Sequence, residues 1–395
     1  LKKHRVVIIG GGFGGVKAAL ELAGDSSFAV TLISNHSDFF VYSMLYRVAT
    51  GGTIEIASVP LDEIFAHGSI TIVQQTVTRI DRKNSEVQTN KGQKFSYDSL
   101  VCALGSVDNY YGIPGLEQYA FGVRTPNAAK ILNNHLHKQL TQSKQVDDNY
   151  IVVGGGPTGV ELAGALPAYI NKLCRQHGLL ETKIKVTLVE SNARLLPAMP
   201  RDISFTVKRR LKKLRVKVLT RKTVDAQTPE GVMIDDKLLK SKTVIWTAGA
   251  KNNPIFEIEN FKISSRHKVQ VDQFLQAEPN IYVIGDNADT TYSGMAQTAL
   301  YDGVYIAKNL KRSASGKARL AYKPKKPIYV VPAGAHWAAV LWGKFRIYGV
   351  FGWWLRRLAD FIAYHDYEPW YAALERWLAE ARDNEECRIC SSNNK

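Results

Sequence analysis

The stretch Ile151–Gly164, IVVGGGPTGVELAG, decides how the chain is read. A short apolar run, the pattern of a buried strand, ends in three glycines, and the helix-forming segment VELAGALPAYINKLCR follows at once. Gly154-x-Gly156-x-x-Gly159 has the spacing that a pyrophosphate requires. The first glycine makes the tight turn, the second admits the phosphates, and the third lets helix and strand pack closely. The helix N-terminus, with Pro157 and Thr158 in its first turn, adds free N–H groups and partial positive charge. The next apolar run, IKVTLVE, ends on Glu190. A carboxylate there bonds a ribose 2′-OH and repels a 2′-phosphate, so this unit is expected to take NADH rather than NADPH.

The same pattern occurs nearer the N-terminus. RVVIIG reads as a strand, Gly10-x-Gly12-x-x-Gly15 as the turn, VKAALELAG as the helix and AVTLIS as the second strand. Here Ser34 stands where the acid is expected, with Asn35 beside it, and a hydroxyl bonds ribose more weakly. SITIVQQTVTRID and KFSYDSLVCALG read as strands between the units, and KTVIWTAGA and NIYVIGDNAD as strands after them. The repetition predicts an α/β protein with two Rossmann-like dinucleotide-binding domains. IYVIGDNAD, Ile281–Asp289, tells the two nucleotides apart. A strand ending Gly285-Asp286 can return beside the first unit and bond a ribityl chain, which a flavin has and NAD lacks. The first turn is therefore assigned to FAD and the second to NADH, with hydride passing between them.

The 395 residues carry 45% hydrophobic and 22% charged side chains, a globular composition with room for two or three domains. The net charge of +16 and pI near 9.5 imply an anionic partner. The first strand begins within a few residues, so no signal peptide is expected, and no apolar window reaches the ~18 residues of a spanning helix. Residues 35–60 contain no Cys, which excludes the redox pair of a disulfide reductase on the flavin's face. Cys102 and Cys174 read as core residues. Cys387 and Cys390 form C-x-x-C in a polar tail, and two thiols hold no complete zinc site, so no metal is expected. Scattered cysteines suit a reducing compartment.

A basic, acid-free linker is expected over Lys311–Lys326, and beyond it the composition turns aromatic. AHWAAVLWGKFRIYGVFGWWLRR holds seven aromatic residues together with Lys344, Arg346, Arg356 and Arg357. WLRRLADFIAYH and PWYAALERWLAEAR show helical apolar faces, Trp354/Leu358/Phe361/His365 and Trp370/Leu374/Trp377/Ala381. These predict amphipathic helices lying on an anionic phospholipid surface or docking a second copy in a homodimer. The densest basic run, Val207–Lys222, lacks interleaved aromatics and is read as a solvated helix face rather than a nucleic-acid platform.

At this point the chain resembles the type II NADH dehydrogenases, single-subunit, non-proton-pumping NADH:quinone oxidoreductases. The resemblance rests on GGGFGG (Gly10–Gly15), MLYRVATGG (Met44–Gly52), CALGS (Cys102–Ser106), GGGPTGVELAG (Gly154–Gly164), LVESNARLLP (Leu188–Pro197), WTAGA (Trp246–Ala250), VIGDNA (Val283–Ala288) and MAQTALYDG (Met295–Gly303). It implies a glutathione-reductase-like arrangement of the two domains, with the FAD domain split over residues 1–115 and 270–325, the NADH domain over 116–269, and a C-terminal amphipathic helical membrane-associating or dimer region over 326–395. It places Gly10, Gly12, Phe13, Gly14, Gly15, Ala103, Gly105, Gly285 and Asp286 with Gly154, Gly156, Gly159, Glu190, Ala248, Gly249 and Ala296 among cofactor-binding residues. Glu161 would help pass protons to the quinone. Ala296, Gln297, Ala299 and Gly303 match the quinone motif A-Q-x-A-x-Q-x-G, but Tyr301 replaces its second glutamine. The implied partners are NADH and a membrane quinone, at the cytoplasmic face of the cell membrane. A sulfide:quinone oxidoreductase and a redox-sensing FAD/NAD-binding protein remain the alternatives.

Overall fold

A computed structural model describes residues 3–66, 68–141, 146–147, 149–179, 184–381 and 389–390. The first glycine unit is β1 (His4–Ile9), α1 (Phe13–Ala23) and β2 (Phe28–Ser34). The motif MLYRVATGG supplies the short helix α2 (Leu45–Ala49), and β3 (Ile70–Gln74) and β4 (Ser99–Cys102) follow. Helix α3 (Pro126–Thr141) leads into the second unit, β5 (Tyr150–Val153), α4 (Pro157–Gln176) and β6 (Val186–Glu190). Helix α5 (Arg201–Lys213), β7 (Val216–Thr220) and β8 (Thr243–Trp246) complete it. The chain then returns through β9 (Gln276–Glu278), β10 (Ile281–Val283) and α6 (Ala296–Ala314). It closes with the strands β11 (Tyr329–Pro332), β12 (Ala338–Trp342) and β13 (Phe345–Gly349) and the helices α7 (Val350–His365) and α8 (Trp370–Ala381).

Two sheets carry the glycine turns. One has the order β9-β10-β4-β1-β2-β3, parallel except for β9 at its edge. The other, β7-β6-β5-β8, is wholly parallel. Parallel strands need both faces covered, which is why these runs are largely apolar: β4, β5, β6 and β8 are buried at every residue, with the few polar side chains among them, such as Thr187 and Thr243, buried as well. One apolar core runs through both units, joining Val16 and Leu22 to Val160 and Leu166, and takes in Ala339, Tyr364 and Tyr367 of the C-terminal region. Helices α1 and α6 lie so close that a side chain on Gly303 would strike the Gly14 carbonyl at 2.6 Å.

Three expectations are corrected. The linker starts later than Lys311, because Lys311 and Arg312 form the last turn of α6. The C-terminal region, expected as amphipathic helices alone, also holds a three-stranded antiparallel sheet, β11-β12-β13, ahead of the two expected helices. Trp342 pairs with Phe345 across the two-residue turn Gly343-Lys344, and such tight turns favour hairpins. Finally, Arg356 and Arg357 are buried, not presented to a surface. The basic run Val207–Lys222 is split between α5, which buries Val207 and Leu211 and exposes Lys208, Arg209, Lys212 and Lys213, and strand β7.

Candidate active site

The two glycine turns are built alike. Gly10 and Gly154 adopt positive φ, 111° and 114°, which L side chains disfavour. A side chain on Gly10 would run into the Ala103 carbonyl, and one on Gly154 into Thr247 and Ala248. On Gly15 or Gly159 it would strike the carbonyl of Gly10 or Gly154. Gly12 and Gly156 alone of these face open space. The crowding lies on the protein side and the clearance at the helix N-termini of α1 and α4, so the residues present fit a pyrophosphate at each turn. Ala103, after β4, backs the first turn as Thr247 and Ala248, after β8, back the second, with Thr247 bonding the Val153 carbonyl at 2.8 Å; Gly249 instead packs on Asn109 and Tyr111, and Gly105 meets neither turn.

Beneath each turn lies the tip of the second strand. Glu190 is buried, and its Oε2 accepts the Gly155 N–H at 2.6 Å. Its Oε1 accepts the backbone and side-chain N–H groups of Asn192, each at 2.6 Å. With the Ser191 hydroxyl, which donates to Oε1 at 3.2 Å, these bonds fix a carboxylate against the turn and leave a lone pair on Oε2 for a ribose hydroxyl. Ser34 is its counterpart below Gly11; its Oγ accepts the His36 N–H at 3.2 Å, while Asn35 is exposed.

The Gly-Asp strand returns where the sequence placed it. β10 pairs with β4, which pairs with β1. Asp286 follows in a short turn and accepts the Ser106 hydroxyl at 2.8 Å. A residue the sequence reading missed holds this turn: fully buried Asp302 of α6 accepts the Gly285 N–H at 3.0 Å and the Tyr322 hydroxyl at 2.6 Å. Burial pushes the Asp302 carboxyl up to about 6. Exposed Ala296 and Gln297 open α6. The Gln297 amide is engaged, donating to the Ile328 carbonyl and accepting the Ile328 N–H, both at 3.0 Å. Tyr301, one turn on, packs near Tyr322 and under the Lys325 ammonium, 4.2 Å from its ring centre.

Glu161 lies in the second turn of α4, the helix that the second glycine turn opens, and is buried. Its Oε1 accepts from Arg356 at 3.4 Å. Arg356, in α7, donates to both oxygens of Asp360 at 2.7 and 2.9 Å and to the Ser43 carbonyl at 3.2 Å. Arg47 of α2 lies 3.8 Å from Asp360. Burial pushes the Glu161 carboxyl up to about 7, with Asp360 adding to the rise and Arg356 and Arg47 opposing it. The sequence reading gave Arg356 to a lipid surface and assigned Asp360 and Arg47 no role. An Arg and an Asp four apart, opposite an apolar helical stripe, were the available signal.

The expected stripe faces out only in part: Phe361 turns in to pack on Trp377 of α8, their ring centres 6.2 Å apart, and the exposed face is shifted round the helix. On α7 Phe351 is 78%, Trp354 55%, Leu358 52% and Ile362 51% exposed, whereas Arg356 and Asp360 are 4% and 3%. Trp370 and Tyr371 of α8 and Trp342 and Phe345 of the β12–β13 hairpin extend the exposed apolar surface. The inner faces are anchored to the first unit. Tyr367 donates to the Phe13 carbonyl at 3.0 Å and packs 4.2 Å from the Phe39 ring, and Tyr364 donates to the Ile56 carbonyl at 2.6 Å. Among the described residues no helix is long and apolar enough to cross a membrane. Cys102 and Cys174 are buried, which raises both thiols and keeps them from acting as ready thiolates. Cys387 lies outside the described residues, and Cys390 meets two histidines, His137 and His177.

Residues 4–303 match the pyridine nucleotide-disulphide oxidoreductase family, and the chain belongs to that family. Within it the chain is similar to proteins named type II NADH:quinone oxidoreductase from two strains of Staphylococcus aureus. They are 28% and 29% identical over 358 residues, which cover 85% of this chain and 88% of theirs. In fold it matches NDH2 from Plasmodium falciparum, solved in complex with NADH, with a TM-score of 0.86 at 17% identity over 96% of this chain and 98% of that one. The sulfide:quinone oxidoreductase of Aquifex aeolicus matches with a TM-score of 0.76 at 18% identity, over 90% of each chain.

Proposed function

We propose that the chain is an FAD-dependent NADH:quinone oxidoreductase that does not pump protons. The observation that carries this reading is the position of Glu161. It stands on the helix opened by the second glycine turn, and Arg356 ties it to a helix whose opposite face is apolar and exposed. Nucleotide site, protonatable group and apolar face are consecutive. The first turn, Ser34 and Asp286 would hold FAD, and the second turn and Glu190 would hold NADH. FAD, when bound, supplies the acceptor for hydride and the donor of two electrons. The chain positions the partners, excludes water and holds a proton on Glu161. Gln297 and Tyr301 would meet the quinone, whose carbonyl would compete with Ile328 for the Gln297 amide. The division into 1–115 with 270–325, 116–269 and 326–395 is supported by β9 and β10 joining the first sheet.

The exposed apolar face of α7 and α8 would lie on the cytoplasmic leaflet of an anionic membrane, with Lys344 beside it, or against a second copy. Rapid mixing tests the reading. NADH should bleach the flavin, and a ubiquinone or menaquinone analogue should restore its colour. Quinone reduction driven by sulfide and not by NADH, or a reduced complex that no quinone reoxidises, would overturn it. Against the sulfide reading stand the buried, raised thiols of Cys102 and Cys174.

A further inference from the structure

The described residues gather one set of soft metal ligands, and it lies outside the nucleotide sites. His137 belongs to the last turns of α3, His177 follows the end of α4, and Cys390 belongs to the C-terminal tail. Although 253 residues separate His137 from Cys390, the Cys390 Sγ lies 3.3 Å from His137 Nε2. The ring centres of His137 and His177 are 5.2 Å apart. One ligand atom from each of the three residues lies within 4.8 Å of the others. Bond lengths of ~2.3 Å to sulfur and ~2.0 Å to nitrogen put the ligands of a tetrahedral zinc ion about 3.3–3.6 Å apart. The cluster is within about an ångström of that size.

A second observation points the same way. His177 Nε2 is buried and has no hydrogen-bond partner. A buried imidazole nitrogen left unpaired is costly, and metal coordination satisfies it.

We infer that His137, His177 and Cys390 form a site for a divalent zinc-class cation that clips the C-terminal tail to helices α3 and α4. Two imidazoles and a thiolate suit zinc, while hard cations such as magnesium require oxygen ligands. Three protein ligands leave a fourth tetrahedral position. Cys387, the other thiol of the C-x-x-C, lies outside the described residues. Binding would displace the thiol proton, giving a Cys390 thiolate on the metal and one proton to solvent. The clip is independent of the assignment to NADH and quinone.

The test uses the full-length flavin-loaded chain under reducing conditions. After stripping with a chelator, zinc is added back and measured by competition with a chromophoric chelator. One zinc per chain should bind, and Cys390→Ser and His177→Ala should each weaken it by at least about 100-fold. Cobalt(II) in place of zinc should give intense visible bands of a tetrahedral site and a thiolate charge-transfer band that the Cys390→Ser chain lacks. Flavin absorbance of each variant reports its fold. Trypsin adds a reading on the wild-type chain alone, since zinc should slow cleavage in the tail, where Arg382 and Arg388 offer sites. No retained zinc, or equal affinity in wild type and both variants, overturns the site. So does cobalt bound without a thiolate band.

Discussion

Replacing Glu161 by glutamine keeps its shape and removes its titration. Burial holds the carboxyl at about 7. Below that pH it is neutral and carries a proton, and at pH 8 only about one-tenth of it stays protonated. If that proton serves the quinone, wild-type flavin reoxidation should fall about tenfold per pH unit above 7. The Glu161→Gln chain should reoxidise about 10- to 100-fold more slowly at pH 6 and show no inflection. Bleaching by NADH should stay within a few-fold, since hydride transfer needs no proton from this group. Stability carries the same signature. A carboxyl whose folded pKa lies above its usual 4.5 stabilises the fold fully below pH 4.5, and that contribution is lost as pH rises through about 7. Across that window the wild type should lose roughly 3 kcal/mol that the glutamine chain keeps. Folding should survive the change, because Arg356 retains its two bonds to Asp360 at 2.7 and 2.9 Å and only the long contact of 3.4 Å is altered. Rapid mixing and thermal unfolding over one pH series measure both effects. An unchanged inflection in the variant, or slowed bleaching with normal reoxidation, would refute the role.

The second glycine turn offers a matched pair of substitutions. Gly156→Ala places its methyl in open space at an ordinary φ of −73°, so the chain should fold and keep its flavin while the KM for NADH rises at least about tenfold. Gly159→Ala drives a methyl into the Gly154 carbonyl, so it should lower stability by about 1–3 kcal/mol in a melting experiment. Glu190, fixed against Gly155, should make NADH at least about tenfold more efficient than NADPH, about 1.4 kcal/mol, and equal steady-state efficiencies would mean that it does not meet the ribose. Changing Phe351, Leu358 and Ile362 to Gln should leave folding intact, because these side chains already face solvent, yet abolish flotation with anionic vesicles; unchanged flotation with a loss of dimer in light scattering would give the face to a second copy.

Both nucleotide turns, their flanking strands and the return of the Gly-Asp strand were legible because their requirements are local. A turn that must admit a pyrophosphate needs glycine at fixed spacings, and a strand buried on both faces is largely apolar. The Glu161 network was not legible, because Arg356 lies 195 residues away and its helix carries an apolar stripe. Read by composition, Arg356 joined the other bases as a lipid-facing charge; in the fold it turns inward to Asp360. The hairpin of β12 and β13 was hidden by aromatic residues that suit either strand or interfacial helix, though Gly343-Lys344 marked a turn. Gln297 illustrates the reverse limit. Its motif was readable, but nothing in it disclosed that Ile328 would occupy both ends of its amide.

Helix α7 is inverted relative to a helix of a water-soluble protein, and the inversion has a consequence for function. Leaving four large apolar side chains half exposed or more forgoes on the order of several kcal/mol of burial, at about 1.5–3 kcal/mol for each side chain fully covered. Burying Arg356 and Asp360 adds a desolvation cost that their paired geometry offsets in part. Turning the helix over would relieve both costs in water, but would take the guanidinium from Glu161 and the Tyr364 and Tyr367 hydroxyls from their carbonyl partners. The orientation is therefore fixed from inside, by the bonds to Glu161 and the packing on Phe13, and the outer face stays apolar and exposed. If a membrane covers that face, a rigid helix with Arg356 on Glu161 would hold the Glu161 carboxyl at one depth relative to the lipid, where a quinone dissolved in that lipid would meet it.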